Sequence, residues 1–295
     1  MNYAVIDIGS NTIRFNIYKW ENYKLELLFG KKNVAGLVSY IENGTLSARG
    51  INKLRYVLEN QLEIINQVAT DKIFAFASAS LRNISNTEYV VNYIKDNLDL
   101  EIEIISQEEE ARLGFIGLKL NDNHISGMSA DIGGGSSELT MFHADSIEEI
   151  INLGDGCLSL FNKYVSELLP KKSEIKAIKD YANQALKSKY QAPPKINILV
   201  GIGGTIRACG NIIKEHYQTA DHRHFSMDDL DRLYKDLKEK DKDIIDTVLK
   251  VTPERIHTIV PGVTLFRTIC RYFDVKNITV GSSGLREGFL MEKLK

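Results

Sequence analysis

Apolar and polar positions alternate from Tyr3 to Tyr18, with one break at Gly9-Ser10-Asn11, the pattern of two strands joined by a tight turn. "LELLFG" at 25–30 offers a third strand. From there the period lengthens: Ile51, Leu54, Val57, Leu58, Leu62, Ile65 and Val68 fall on one face of a helix. The strand "KIFAFA", the helix-like "NTEYVVNYIKDN" and the strand "EIEII" follow, so the first half reads βββ and then αβαβα. The second half starts again, with "SADIGGG", "SSELTMF" and "IEEIINL" as three strands and "INILV" and "NITV" as later ones. This doubling predicts two α/β domains, residues 1–120 and 121–295, divided in the polar, turn-rich stretch "LNDNHISG" at 120–127. The charge run "KEKDKDIID" at 238–246 reads as a solvated connection between helices.

The two halves repeat a phrase as well as an order. "DIGSNTIRF" begins at Asp7 and "DIGGGSSEL" at Asp131, each ending an apolar strand before a glycine-containing turn. Without Cβ atoms in the way, successive backbone N–H groups of such a turn converge on one point and suit phosphate oxygens. Gly9, Ser10 and Asn11 form one candidate turn, and Gly133, Gly134, Gly135, Ser136 and Ser137 the other. Two such turns facing one another would make a cleft for a phosphate chain. Asp131 could orient a water or a hydrated Mg²⁺, a hard cation that prefers carboxylate oxygen. A third cluster, "LVGIGGTIRACGNI", follows a strand and opens a helix, whose N-terminus attracts anions. Taken singly, each phrase is also explained as a tight hairpin or a strand-to-helix turn.

Composition narrows the classes. The chain has 295 residues, 43% of them hydrophobic, and a formal net charge of −2, which argues against a general coat for nucleic acid. Its three cysteines, Cys157, Cys209 and Cys270, form no C-x-x-C pair, so neither a disulfide framework nor a zinc ribbon is indicated. No apolar run approaches a membrane span and no signal peptide is evident, so a cytoplasmic protein is expected. His222-Arg223-His224 has no carboxylate partner at metal-site spacing and reads as surface or loop.

In the helix after "EIEII", Ser106 and Glu109 satisfy a capping box, which assigns Glu109 to the helix start and leaves Glu110 for other work. Helical spacing places Glu110 with Leu113, Gly114 and Gly117, glycines that would admit a close neighbour. By itself Glu110 is also one more acid in a first turn.

Seven phrases in order, "DIGSNTIRF", "ASASLRNISN", "EEEARLGFIG", "DIGGGSSEL", "GIGGTIRA", "PERIHTIVPG" and "GSSGLREGFL", resemble the exopolyphosphatase and guanosine pentaphosphate phosphatase (Ppx/GppA) family over nearly the whole chain. That family lies within the actin-like ATPase and sugar-kinase superfamily, and this chain resembles its short class. The resemblance implies an α/β fold of two RNase H-like (actin-like ATPase) domains with an interdomain cleft, the last helix, about 284–295, packing back on the first. It implies Glu110 as general base and Arg82 as a catalytic arginine on the transferred phosphate. It adds Gly203, Gly204, Thr205 and Arg207 to the phosphate-binding set. Mg²⁺ or Mn²⁺ would be held by Asp131 with Asp7 or Glu138. Arg286 and Glu287 suit a pairing that fixes the last helix as well as a substrate contact.

The implied activity is hydrolysis of the terminal phosphoanhydride of inorganic polyphosphate, or of guanosine pentaphosphate, by a homodimer without nucleic-acid or membrane partners. Two departures bear on the substrate. "KKNVAGLVSYIENG" stands where the family has an Arg-Leu-Gly phrase, and Ser159 stands where an arginine is expected. Fewer cationic contacts weaken the grip on a long polyanion most, so short chains are expected. A superfamily kinase and a non-catalytic polyphosphate or guanosine polyphosphate sensor are the alternatives.

Overall fold

The computed structural model describes residues 1–121 and 126–295; the stretch 120–127 expected to divide the domains falls partly outside the described residues, at 122–125. The chain forms two compact units, one of Met1–Leu113 with Leu285–Lys295 and one of Gly114–Gly284.

In the first unit, β1 (Asn2–Ile8), β2 (Thr12–Glu21) and β3 (Lys24–Val34) form an antiparallel meander. A 3₁₀ turn (Leu37–Tyr40) and the two-residue strands β4 (Ile41–Glu42) and β5 (Thr45–Leu46), which the hydrophobic pattern did not announce, lead into α1 (Ala48–Asn66). Then come β6 (Lys72–Ala77), the single-turn α2 (Ala79–Arg82), α3 (Thr87–Leu98), β7 (Ile102–Ile104) and α4 (Gln107–Lys119), within which the first unit ends at Leu113. The five strands lie in the order β3-β2-β1-β6-β7, with β6 parallel to β1 and β7 parallel to β6. Central β1 is buried almost throughout, as a strand covered on both faces must be. Ala4, Ile6 and Ile8 join Leu54, Leu58 and Ile65 of α1 in one core.

The second unit repeats the plan. β8 (Ser126–Ile132), β9 (Ser137–His143) and β10 (Ser146–Asn152) form a meander, followed by α5 (Cys157–Tyr164), α6 (Lys172–Lys187), β11 (Ile198–Ile202) and α7 (Gly203–Tyr217). β12 (His224–Ser226), α8 (Met227–Glu239), α9 (Lys242–Val251), α10 (Ile259–Tyr272) and β13 (Asn277–Val280) complete it. The order is β10-β9-β8-β11-β13-β12, the first unit's arrangement with one strand added at the edge. That strand begins at His224, so the histidine pair runs from a loop into a sheet edge. The charge run contains the α8–α9 connection, where Asp241 caps α9 by accepting from the N–H groups of Asp243 and Ile244. Helix α11 (Leu285–Lys293) belongs to the first unit, where Phe289 packs on Phe76 of β6 with ring centroids 4.6 Å apart.

No helix among the described residues is long and apolar enough to cross a membrane.

Candidate active site

In the first unit, Ile8 pairs with Ala77 and Ala77 with Ile104, so β1, β6 and β7 end together. Side chains just beyond the carboxyl ends of parallel strands therefore gather at one edge of the sheet, where α/β folds bind ligands. The Gly9 turn follows β1, Arg82 sits at the end of α2 after β6, and Glu110 lies in the first turn of α4 after β7. Buried Ser80 ties α2 to this edge by donating to the Ile8 carbonyl.

The capping box forms as the sequence predicts. Glu109 N–H donates to Ser106 Oγ at 3.1 Å, and Ser106 N–H donates to Glu109 Oε2 at 2.8 Å. Those bonds hold the Glu109 carboxyl below its usual range. Glu110, one residue on and buried, instead accepts from Arg82 Nη1 at 3.0 Å, and the same nitrogen donates to the Ile105 carbonyl at 2.9 Å. The arginine thus fixes the carboxylate. The expected close approach at Gly114 is absent: a Cβ there would meet only Ile202 Cδ1 at 3.9 Å, ordinary contact.

The two repeated phrases are one structure built twice. In the first, Gly9 N–H donates to the Thr12 carbonyl at 3.0 Å; in the second, Gly133 N–H donates to the Ser136 carbonyl at 3.0 Å. A following segment then holds each turn by its carbonyls. Ala35 and Gly36 N–H groups donate to Asn11, and Val38 N–H to Ser10. In the other unit Cys157 N–H donates to Gly133, and the Leu158 and Ser159 N–H groups to Gly134. With the carbonyls turned to those segments, the N–H groups of Ser10 and Asn11, and of Gly134, Gly135 and Ser136, have no acceptor among the described residues. The buried amide Nδ2 of Asn11 also lacks a partner. Backbone donors without acceptors that converge in a turn suit an anion, and those of Ser10, Asn11 and Ser136 belong to buried residues. Ser137 departs from its expected role: its hydroxyl donates to the Asp155 carbonyl at 2.9 Å, which braces the loop and leaves no proton for phosphate.

Ser159, where a cation was expected, caps α5 by accepting from Gly156 N–H at 2.9 Å. The helix that holds the turn is secured in this way.

The rungs behind the turns differ in charge. Asp131 stands directly opposite Glu138, and Glu138 opposite Asn152, so three oxygen-bearing side chains share one face of β8, β9 and β10. Asn152 Oδ1 is buried without a partner. The matching rung of the first unit carries Asp7 opposite Arg14, and Arg14 opposite Lys32. Basic character missing from the loop after β3 is therefore present one strand earlier. Sequence reasoning overlooked Arg14, although its distance from Asp7 equals that of Glu138 from Asp131. Asp7 also accepts from Arg286 Nη1 at 2.9 Å; burial raises its carboxyl above the usual range even though Arg286 pulls the other way. Glu287 accepts from the Tyr18 hydroxyl, so this pair fixes the last helix within the first unit.

A hard cation fits the second rung, because carboxylate and amide oxygens are the donors it takes. Among the described residues no three His, Cys, Asp or Glu side chains are gathered for a metal, so water would complete such a site. Gly203 has φ +86°, and a Cβ there would run into Asp131 Oδ1. At Gly204 a Cβ would overlap the Arg255 guanidinium, which therefore lies against the first turn of α7, another cation that sequence reasoning overlooked. Thr205 Oγ1 is buried without a partner, and Arg207 lies half-buried on the same helix. Burial pushes the Cys209 thiol up to about 12 and the Cys270 thiol well above its usual value, which removes both as nucleophiles.

A model of the Ppx/GppA phosphatase family matches residues 17–295. The chain belongs to that family. A crystal structure of an exopolyphosphatase from Cytophaga hutchinsonii is similar, with TM-score 0.88 and 21% identity, covering 100% of this chain and 98% of that one. The crystal structure of the Aquifex aeolicus Ppx/GppA family member has TM-score 0.82 and 22% identity, covering 100% and 97%. These likenesses carry the fold, and the expected actin-like ATPase architecture is met. A bifunctional 3-dehydroquinate synthase/phosphatase from Fusobacterium nucleatum is 26% identical over 98% of this chain, which spans only 46% of that protein. As the motifs implied, the Ppx/GppA family is one of phosphatases.

Proposed function

We propose that this chain hydrolyses the terminal phosphoanhydride of inorganic polyphosphate, with short chains preferred. The observation that carries this reading is the Arg82–Glu110 pair at the sheet edge where the Gly9 turn leaves N–H donors without acceptors. Glu110 takes a proton from the attacking water, for which a carboxylate held in one place by an arginine is suited. Backbone donors of the turns hold phosphate oxygens, and the guanidinium of Arg82 stabilises charge as it builds. Asp131 and Glu138, with Asn152 beside them, would hold Mg²⁺ or Mn²⁺, which would neutralise charge on the phosphates when bound.

The chain-length preference rests on Ser159, whose hydroxyl serves α5 where a cation would have extended the grip. Guanosine pentaphosphate is the second substrate of this proposal, since it offers the same anhydride on a compact anion. A reducing, cytoplasmic setting is supported by three buried free cysteines.

The test is phosphate release by the purified chain with Mg²⁺ from short polyphosphate, long polyphosphate and guanosine pentaphosphate, each beside Glu110→Gln. Release that the variant lacks supports the reading, and the order of substrates assigns the preference. Binding without release from any of them overturns it in favour of a sensor.

A further inference from the structure

The loop between β10 and α5, residues 153–156, takes no part in the chemistry proposed above, yet supports of the Gly133 turn converge on it. Leu153 N–H donates to the Ser137 carbonyl at 2.9 Å, and the Ser137 hydroxyl donates back to the Asp155 carbonyl at 2.9 Å. At Gly156 a Cβ would run into the Gly133 carbonyl oxygen and the Gly134 carbonyl carbon, so loop and turn touch backbone to backbone. Cys157, the next residue, donates its N–H to the Gly133 carbonyl. A shift of this loop is therefore a shift of the turn.

The loop is in turn anchored from α6. The Leu153 carbonyl accepts two hydrogen bonds, from Asp155 N–H at 2.9 Å and from the Tyr181 hydroxyl at 2.8 Å. Between Leu153 and Asp155 stands Gly154 at φ +75°, with no side chain of its own to fix the reversal. The half-buried Tyr181 ring packs on the second unit's core, which sets where its hydroxyl can reach. Lys163 of α5 rests 5.0 Å from the centre of that ring, and its Nζ lies 3.5 Å from Asp155 Oδ2. Tyr181 thus ties the loop to the core at one end, and Lys163 lies over it to reach the other.

We propose that Tyr181 is a positioning residue for phosphate binding: through the Leu153 carbonyl its hydroxyl holds the loop that aims the N–H donors of the Gly133 turn. This inference rests on the reading of that turn as a phosphate site. Glu110 and Arg82 stand on other elements, so losing the hydroxyl weakens binding in ground state and transition state alike. Such a loss raises KM and leaves kcat nearly unchanged.

The test compares Tyr181→Phe with Tyr217→Phe. Tyr217 is a matched control in the same unit: half-buried, it donates to Asp236 Oδ2 at 2.6 Å between α7 and α8, and Arg232 rests 4.3 Å from its ring centre. Each substitution keeps the ring and its cation and removes one hydroxyl. Two quantities are read besides Tm: the KM and kcat of phosphate release from inorganic tripolyphosphate, and the Kd of tripolyphosphate for the Glu110→Gln protein with and without each change. Tyr181→Phe is expected to raise KM and Kd by about 3- to 10-fold, the worth of one hydrogen bond. Both variants are expected to lower Tm by about 2–4 °C, and Tyr217→Phe to leave KM and Kd as they are. A Tyr181→Phe protein with wild-type KM and Kd overturns the proposal, and so does a Tyr217→Phe protein whose KM and Kd rise as far, because general loosening is then the cause. Binding without release leaves Kd to decide in the same way, whereas a wild type that neither binds nor hydrolyses tripolyphosphate overturns the phosphate reading of the turn and this inference with it.

Discussion

Arg82 reaches Glu110 with the same nitrogen that donates to the Ile105 carbonyl, so the backbone just after β7 and the Glu110 carboxylate are held by one guanidinium. Both side chains are largely buried. Glu110→Gln should keep the fold and lower kcat by roughly 10²- to 10⁴-fold. Arg82→Lys should lower kcat by about 10²-fold, because a lysine cannot reproduce the fork. Arg82→Gln, which removes the cation, should also make ionisation of the Glu110 carboxyl less favourable, so the acid limb of the kcat–pH profile should move to higher pH. An unmoved limb would mean that Arg82 does not set the state of Glu110.

Charge on the two rungs separates the proposed metal site from the ion pair. Asp131 and Glu138 face each other, whereas Asp7 faces Arg14 and is bonded to Arg286. Asp131→Asn and Glu138→Gln should each raise the Mg²⁺ concentration for half-maximal activity by at least roughly 10-fold. Asp7→Asn should change that midpoint far less while lowering Tm. Magnesium titrations of phosphate release, paired with thermal melts, distinguish the three.

Much of this was legible in the chain. Alternation from Tyr3 to Tyr18 gave β1 and β2, and spacing alone divided the labour between Glu109 and Glu110. Local rules suffice there, because capping and strand pairing act between near neighbours. Arg14, Lys32 and Arg255 escaped notice because their meaning depends on register and packing between elements, not on their own neighbours. Ser137 was misjudged for the same reason: a hydroxyl in a glycine turn suggests phosphate, and only the fold reveals the Asp155 carbonyl that takes its proton.

Gly203 is a position where a backbone requirement and a site requirement coincide. Its positive φ disfavours any side chain, and a methyl group would occupy the space of the Asp131 carboxylate. Gly203→Ala should cost roughly 1–2 kcal/mol from the backbone alone. The displaced carboxylate should raise the Mg²⁺ concentration for half-maximal activity, as Asp131→Asn does. Urea denaturation reads the first effect and magnesium titration the second; a variant with native stability and a native metal midpoint would refute the argument.

The capping box predicts a pH-dependent share of stability. The N–H and hydroxyl of Ser106 hold Glu109 below the usual carboxylate range, so the folded state prefers the ionised form. Its contribution is complete above the unfolded value near ~4.3 and is lost as pH falls through the lower folded value. Glu109→Gln should therefore be less stable than wild type by about 0.5–1 kcal/mol at pH 7, with the gap closing towards pH 3. Denaturation midpoints over that range check the sign: a gap that widens on acidification contradicts it.

Arg286 joins the end of the chain to the end of β1, 279 positions away. Breaking a buried pair from one side costs more than the pair contributes, because the partner charge is stranded. With about a fifth of each side chain still exposed, Arg286→Ala should cost roughly 2–3 kcal/mol, below the range for fully buried pairs. Arg286→Lys should recover part of this, since it keeps the charge without the fork. Lys293→Ala is the control: it removes another tie of α11, to Glu103, at a partly exposed position where ion pairs are worth about 0–1 kcal/mol. If α11 serves only as packing, Arg286→Ala and Lys293→Ala should both leave kcat intact, each lowering stability by its own amount. If Arg286 also holds Asp7 in place, Arg286→Ala alone should lower kcat, and Arg286→Lys should restore kcat less fully than it restores Tm.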